Sequence, residues 1–385
     1  MWFIDIGNLF YLLIFSVFII VCNSFLKDKF ILIRRICLPV FFIFFIFSYN
    51  RKLLVFYLVY ILLNYVFAQI ISYLDRLKKA IFLISIVFNV LVVILLRSEG
   101  IYKMGIPWLD VVLVVGLIYN LLKMIDLQFY AYYMSEKINL FDLVTYILFV
   151  PAFTSGPIMP YRAFNQQLYS YKEVDSISIE KFIKRIIRGL FKKIVIVKLF
   201  SYIYYSLLGL KINIFISILI LMSYYILLYF DFAGYTDIAI GFGGLMGFDV
   251  PENFKKPFTS PTLTQFWRNW HATLGDWFRS HVFMPFAQFS QSRIFVGALS
   301  FMIMFLIGLW HGFNNLFILW GIYHGILLFL ENVLNLTMVN KRKVKKSYFI
   351  FRCVATNTLV GFGTIFFSEN IEIAKKILHG FTKLW

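Results

Sequence analysis

The chain has 385 residues, of which 61% are hydrophobic, 21% aromatic and only 15% charged, with phenylalanine alone counting 47. A soluble domain is about 45–50% apolar and about 25% charged, so this composition excludes one and defines an integral membrane protein. The formal net charge of +18 does not imply a nucleic-acid partner: the basic residues lie in short loops between apolar runs, where membrane orientation and anionic lipid headgroups account for them, and no RNA-reading motif accompanies them.

The first residues, MWFIDIGNLFYLLIFSVFIIVCNSF, lack a basic n-region and a small-residue cleavage site, and read as a retained spanning helix. Apolar runs then follow at 36–49, 53–74, 80–96, 106–125, 140–153, 183–209, 213–230, 296–310, 316–336 and 347–367. A spanning helix needs about 20 apolar residues, so the runs at 36–49 and 140–153 predict re-entrant, tilted or partly inserted segments, and the expected total is roughly nine to eleven. The basic loops set the orientation. Lys27, Lys29, Arg34 and Arg35 follow the first span, and Arg76, Lys78 and Lys79 the third. A cluster at 172–193 and another at Lys341, Arg342, Lys343, Lys345 and Lys346 come later. Assigning all four to the cytoplasm puts the N-terminus outside.

Lys123 and Asp126 sit three apart in an apolar run, which places them on one helix face. They read as a charge pair in a bundle interior, or as residues lining a tunnel. The stretch TSGPIMPYRAFNQQL (154–168) carries Gly156, Pro157 and Pro160, which end the preceding helix. The segment KFIKRIIRGLFKKIVIVK (181–198) is the basic, amphipathic start of a helix on anionic headgroups. Cys22, Cys37 and Cys353 have no metal or redox spacing and read as small apolar filler.

The stretch from Phe230 to Gly325 holds four of the five histidines, His271, His281, His311 and His324, together with Asp231, Asp237, Asp249, Glu252 and Asp276. Ionisable groups inside a membrane are expensive and mark function. Glycines at 234, 241, 243, 244 and 247 and prolines at 251, 257 and 261 interrupt long helices here. The sequence QFWRNWHATLGDWFRSHVF predicts short amphipathic helices that lie along the membrane surface without crossing it. Asp231 and Asp237, next to glycines, read as capping or internally paired groups. They are not metal ligands, because no His/Cys cluster accompanies them.

The motifs DFAGYTDIAIG (231–241), PENFKKPF (251–258), FWRNWHATLGDWFR (266–279), LWHG (309–312), WGIYHG (320–325) and GPIMPYR (156–162) together resemble the membrane-bound O-acyltransferases. The likeness is to the bacterial branch of alginate O-acetyltransferases and D-alanyl-lipoteichoic acid transferases. The resemblance implies an all-α polytopic fold, a ring of about ten tilted helices with re-entrant and interfacial helices around a central tunnel. It implies one domain over 1–385, with N-terminal helices at 1–153, a catalytic core at 154–336 and C-terminal helices at 337–385. It also implies an O-acyltransferase of a bacterial cytoplasmic membrane, carrying an acyl group from a cytoplasmic thioester donor (acetyl-CoA or an acyl-carrier protein) to a hydroxyl of a cell-surface polymer or to an extracytoplasmic partner. No cofactor is expected beyond that donor. His311, in the WHG motif, is the implied catalytic residue, with His271 matching a second histidine of the branch. Trp267, Trp270, Asn253, Arg279, Trp310 and Asn314 are the expected substrate contacts.

The chemistry agrees with the residue types. Acyl transfer to a hydroxyl needs a base, and a neutral imidazole with a reference pKa of about 6.5 serves near neutral pH. A tetrahedral intermediate needs oxyanion donors, for which Trp310, Asn314, Asn315 and backbone N–H groups are at hand. No GxSxG elbow occurs, so a serine acyl-enzyme is not indicated. His324 reads as a helix-packing residue, and His281 and His379 as peripheral. Acetyl transfer and D-alanyl transfer both remain open. A transporter is disfavoured because no paired broken helices recur in the two halves, and a scaffold with inert histidines is the third alternative.

Overall fold

A computed structural model describes residues 6–97, 116–368 and 370–383. The described residues are helical, with no strand among them and one isolated antiparallel bridge, Phe254 to Trp270. Among the described residues, eight helices are long and apolar enough to cross a membrane, so the expected all-α polytopic class holds. The difference between these eight and the nine to eleven expected has local reasons. The run at 106–125 lies partly outside the described residues. The run at 140–153 gives only a short helix, Leu140–Ile147, and a 3-10 turn at Val150–Ala152. The run at 183–209 is divided by a π turn at Lys192–Ile196.

The helices are α1 (Ile6–Phe25), α2 (Phe30–Tyr49), α3 (Arg51–Tyr73), α4 (Lys78–Arg97), α5 (Leu117–Met134), α6 (Leu140–Ile147), α7 (Tyr161–Leu168), α8 (Ser176–Phe191), α9 (Val197–Leu208), α10 (Ile214–Leu245), α11 (Leu263–Asn269), α12 (Ala272–Phe278), α13 (Arg293–His311), α14 (Asn315–Val333), α15 (Lys346–Gly363) and α16 (Ile371–Gly380), with one further turn at Met284–Ala287. They form two compact units, one of residues 1–188 and 236–251, the other of 189–235 and 252–385.

In the first unit, the run at 36–49 is not a short inserted segment. It belongs to the 20-residue helix α2, which already contains Arg34 and Arg35. Both charges can enter the helix because both find partners. Arg35 forks onto Asp142 at 3.1 and 3.2 Å. Arg34 is fully buried and donates to the carbonyls of Gln167, Leu168 and Ser170 at the C-terminal end of α7. A cation at a helix C-terminus meets the orphan carbonyls and the negative end of the dipole.

Lys123 and Asp126 do not form the expected pair. The Lys123 ammonium reaches the carbonyls of Tyr146 and Ile147, at the end of α6, at 3.4 and 3.5 Å. Asp126 accepts the Tyr161 N–H, the first of α7, at 2.6 Å. Two opposite charges one turn apart on α5 thus cap the C-terminus of one short helix and the N-terminus of another. Asp237 pairs with Arg185 at 3.0 Å within this unit.

In the second unit, α13 and α14 form a close hairpin. Cβ atoms added to Gly308 and Gly321 would lie 2.5 Å from the Phe317 carbonyl and 2.8 Å from the Met304 carbonyl. Only glycine permits this approach, and it fixes His311 at the end of α13 against the start of α14. Asp231 pairs with Lys193. The short helices α11 and α12 have seven residues each. At 1.5 Å per residue that is roughly 10 Å, a third of a hydrocarbon core of about 30 Å, so neither crosses. Buried Glu331 of α14 receives the N–H groups of Leu263 and Thr264 at 2.8 and 2.7 Å, and Thr262 adds an N-cap bond to Gln265.

Candidate active site

Two histidines meet in the second unit. His271 stands between α11 and α12, is buried, and takes a left-handed backbone with φ +47°. Its ring lies edge-on to Phe232 at 4.6 Å and to Trp310 at 5.9 Å. His311 ends α13 and is only partly buried. Its ring meets Trp310 at 4.8 Å, Trp320 at 5.4 Å, Phe367 at 4.8 Å and Phe317 at 5.8 Å. The Trp310 indole therefore contacts both imidazoles. Burial, reinforced by the charge His311 can carry, holds His271 well below the usual imidazole range, so it is neutral near pH 7.

The local sequence explains the placement. Asn253 and Phe254 run antiparallel to Asn269–Ala272, with bonds Lys255 N–H to Asn269 O and Ala272 N–H to Asn253 O, both 2.9 Å. Pro251 and Pro257 keep this segment from turning helical. The bridge brings Asn253, whose side-chain oxygen lies 3.0 Å from His271 Nδ1, beneath the histidine. Asn253 is fully buried there.

The other expected contacts divide. Trp310 joins the histidines. Trp270 is enclosed by Phe254, Phe266, Tyr225 and Tyr229 at 5.2 to 5.9 Å. Trp267 packs on Trp320 and His324 at 5.4 and 4.9 Å, one ring away from His311. Arg279 is exposed and paired with Asp276, with no contact to either histidine among the described residues. Asn314 caps α14 through its oxygen, which receives the Phe317 N–H at 2.9 Å, so only its amide nitrogen is left to donate. Gly312, which ends the LWHG motif, leaves no open space beside the backbone. The space a Cβ would need is taken by the Phe317 ring, 2.6 Å away.

His324 is buried against Trp267, Trp320 and Tyr323, as expected of a packing residue. His281 stacks on Trp277 at 4.5 Å. Phe367, Trp320 and Phe232 were not foreseen. Phe367 comes from the turn after α15, and nothing in its local sequence links it to a histidine 56 positions earlier. No group of three metal-ligating side chains occurs among the described residues.

Among the described residues, eight helices long and apolar enough to cross a membrane mark a multi-pass membrane protein, and in its second unit two histidines are gathered around one tryptophan. Residues 53–356 match the membrane-bound O-acyltransferase (MBOAT) family, and the chain belongs to it. It is 35% identical over 206 residues to a teichoic acid D-alanyltransferase of Bacillus subtilis, covering 51% of this chain and 52% of that one. It is 31% identical over 244 residues to a probable alginate O-acetylase of Pseudomonas syringae pv. tomato, covering 62% and 45%. It is also 29% identical over 259 residues to a peptidoglycan O-acetyltransferase of Helicobacter pylori, covering 63% and 47%. The chain spans about half the length of these curated relatives.

Proposed function

We propose that the protein is an O-acyltransferase of a bacterial cytoplasmic membrane. It moves an acetyl group from a cytoplasmic thioester to a hydroxyl of a cell-surface polysaccharide, or to an extracytoplasmic partner. The observation that carries this reading is the shared contact of His271 and His311 with Trp310, both histidines lying in the segment that matches the acyltransferase family. His311, the more accessible of the two, takes the acceptor's proton as its oxygen attacks the thioester carbonyl. The tetrahedral intermediate collapses with cleavage of the C–S bond. The imidazolium returns its proton to the departing thiolate, leaving an ester and a thiol. Trp310 Nε1 and the Asn314 amide nitrogen are the side-chain candidates to donate to the oxyanion.

A D-alanyl group on a carrier-protein thioester is the second reading, favoured by the 35% identity to a teichoic acid D-alanyltransferase. Purified protein in lipid, offered acetyl-CoA and D-alanyl carrier protein in turn, separates the two. With the productive donor, His311→Gln is expected to lose about 10²–10⁴-fold in rate while melting normally, the usual contribution of one acid–base group. A well-folded His311→Gln protein with near-normal turnover would refute the assignment, and turnover with neither donor would refute acyl transfer.

A further inference from the structure

The side-chain oxygen of Asn253 has three donors around it. His271 Nδ1 is at 3.0 Å, Thr273 Oγ1 at 2.9 Å and the Thr273 backbone nitrogen at 3.3 Å. The backbone N–H can only donate, so the carboxamide atom facing it is the oxygen and not the amide nitrogen. That orientation is kept although it leaves Asn253 Nδ2 buried with no partner among the described residues. A carboxamide oxygen only accepts, so the His271 nitrogen that faces it carries the proton. A neutral imidazole has one such proton, so Nε2 carries none and can only accept. The same residue fixes the backbone, since Asn253 O receives the Ala272 N–H beside the left-handed His271.

We propose that Asn253 is a positioning residue, not a substrate contact, and that it holds His271 as the Nδ1–H tautomer so that Nε2 acts only as a hydrogen-bond acceptor. The proposal rests on the acyl-transfer reading of the site. It divides the labour of the two histidines. An Nε2 without a proton cannot donate to an oxyanion, so His271 serves as an acceptor while oxyanion stabilisation falls to other donors. Asn253, with no exposed surface, acts through His271.

Two measurements test this. The first is nitrogen NMR of the wild-type protein with 15N-labelled histidine in lipid nanodiscs, His271 being identified by its loss in His271→Gln. The expected spectrum has a protonated Nδ1 and a bare Nε2. A protonated Nε2 at neutral pH overturns the proposal, whether or not acyl transfer is ever detected. The second is the pH titration of His271 in Asn253→Asp, read from the same nitrogen spectra. A carboxylate keeps an acceptor toward Nδ1–H and the Thr273 N–H, so α12 stays capped, but its charge favours the imidazolium. The His271 midpoint is expected to move up by about 1–3 pH units, the effect of one nearby opposite charge. The rings packed on His271, Phe232 and Trp310, do not titrate. His311 is the titratable neighbour, followed in the same spectra. A folded Asn253→Asp protein with an unshifted profile reduces Asn253 to a helix cap and sinks the proposal. Absence of acyl transfer by the wild type would instead sink the functional reading, leaving the NMR result to stand or fall alone.

Discussion

Glu331 offers the sharpest test of how the site is held. Its carboxylate takes two backbone N–H groups at the start of α11, at 2.8 and 2.7 Å, and α11 carries Trp267 and leads into His271. Glu331→Ala strands both groups. A buried unsatisfied N–H costs about 1–3 kcal/mol. Leu263 is buried, while Thr264 is partly exposed and its N–H can turn toward water, so the loss is expected in the lower half of the summed range, about 2–4 kcal/mol. Glu331→Gln keeps one oxygen for one N–H and sets an amide NH2 against the other, so it is expected to cost about half as much. Thermal melting in nanodiscs reads the stability, and a drop of about 2.5–5 °C is expected for alanine, at roughly 1.2 °C per kcal/mol for a chain of 385 residues. Acyl transfer at a permissive temperature reads the geometry. If Glu331→Ala melts within a degree of the wild type, water replaces the carboxylate and the capping argument is wrong.

Gly308→Ala puts a Cβ 2.5 Å from the Phe317 carbonyl and is expected to cost about 1–3 kcal/mol by forcing the α13–α14 hairpin apart; an unchanged melting temperature would contradict the close packing. The folded-state pKa of His271 is lowered, so below its unfolded value of about 6.5 the unfolded chain binds a proton that the native state refuses. Stability is expected to fall by about 1.4 kcal/mol per pH unit there, and His271→Gln should lack this slope in melting curves. The Lys123 ammonium makes only long contacts, at 3.4 and 3.5 Å. Lys123→Met is therefore expected to be neutral or stabilising, and a melting drop as large as that of Glu331→Ala would refute this. A cysteine placed at Lys343 is expected to resist impermeant thiol reagents added outside intact cells, and labelling from outside would reverse the assigned orientation.

Periodicity and apolar length made the spans legible, and the likeness of the WHG and FWRNWH motifs to the acyltransferases singled out His311 and His271, which the structure brings together at Trp310. Partnership between distant charges was not legible. Arg34 looked like a loop residue because a lone arginine does not belong in a span. It sits in α2 because the end of α7, some 130 positions later, supplies its acceptors. Lys123 and Asp126 were rightly put on one face, but spacing could not tell that each would find a separate helix end. Asn253 reads from the resemblance as a substrate contact, whereas the positioning task proposed for it depends on an antiparallel bridge from Phe254 to Trp270 that no local pattern announces.

The Glu331 cap also bears on the order in which the chain can fold. Helices shorter than about 12–15 residues are marginal alone, and α11 has seven. Its capping carboxylate lies 68 positions downstream of the first N–H it serves. At about 5–20 residues per second, synthesis takes roughly 3–14 s to supply it. During that interval the histidine-bearing segment has left the ribosome without the group that completes its first helix. The contrast with α7 is direct, since Asp126 is made before the helix it caps. The helix α7 can thus be capped as it emerges, while α11 waits until Glu331 of α14 has been made.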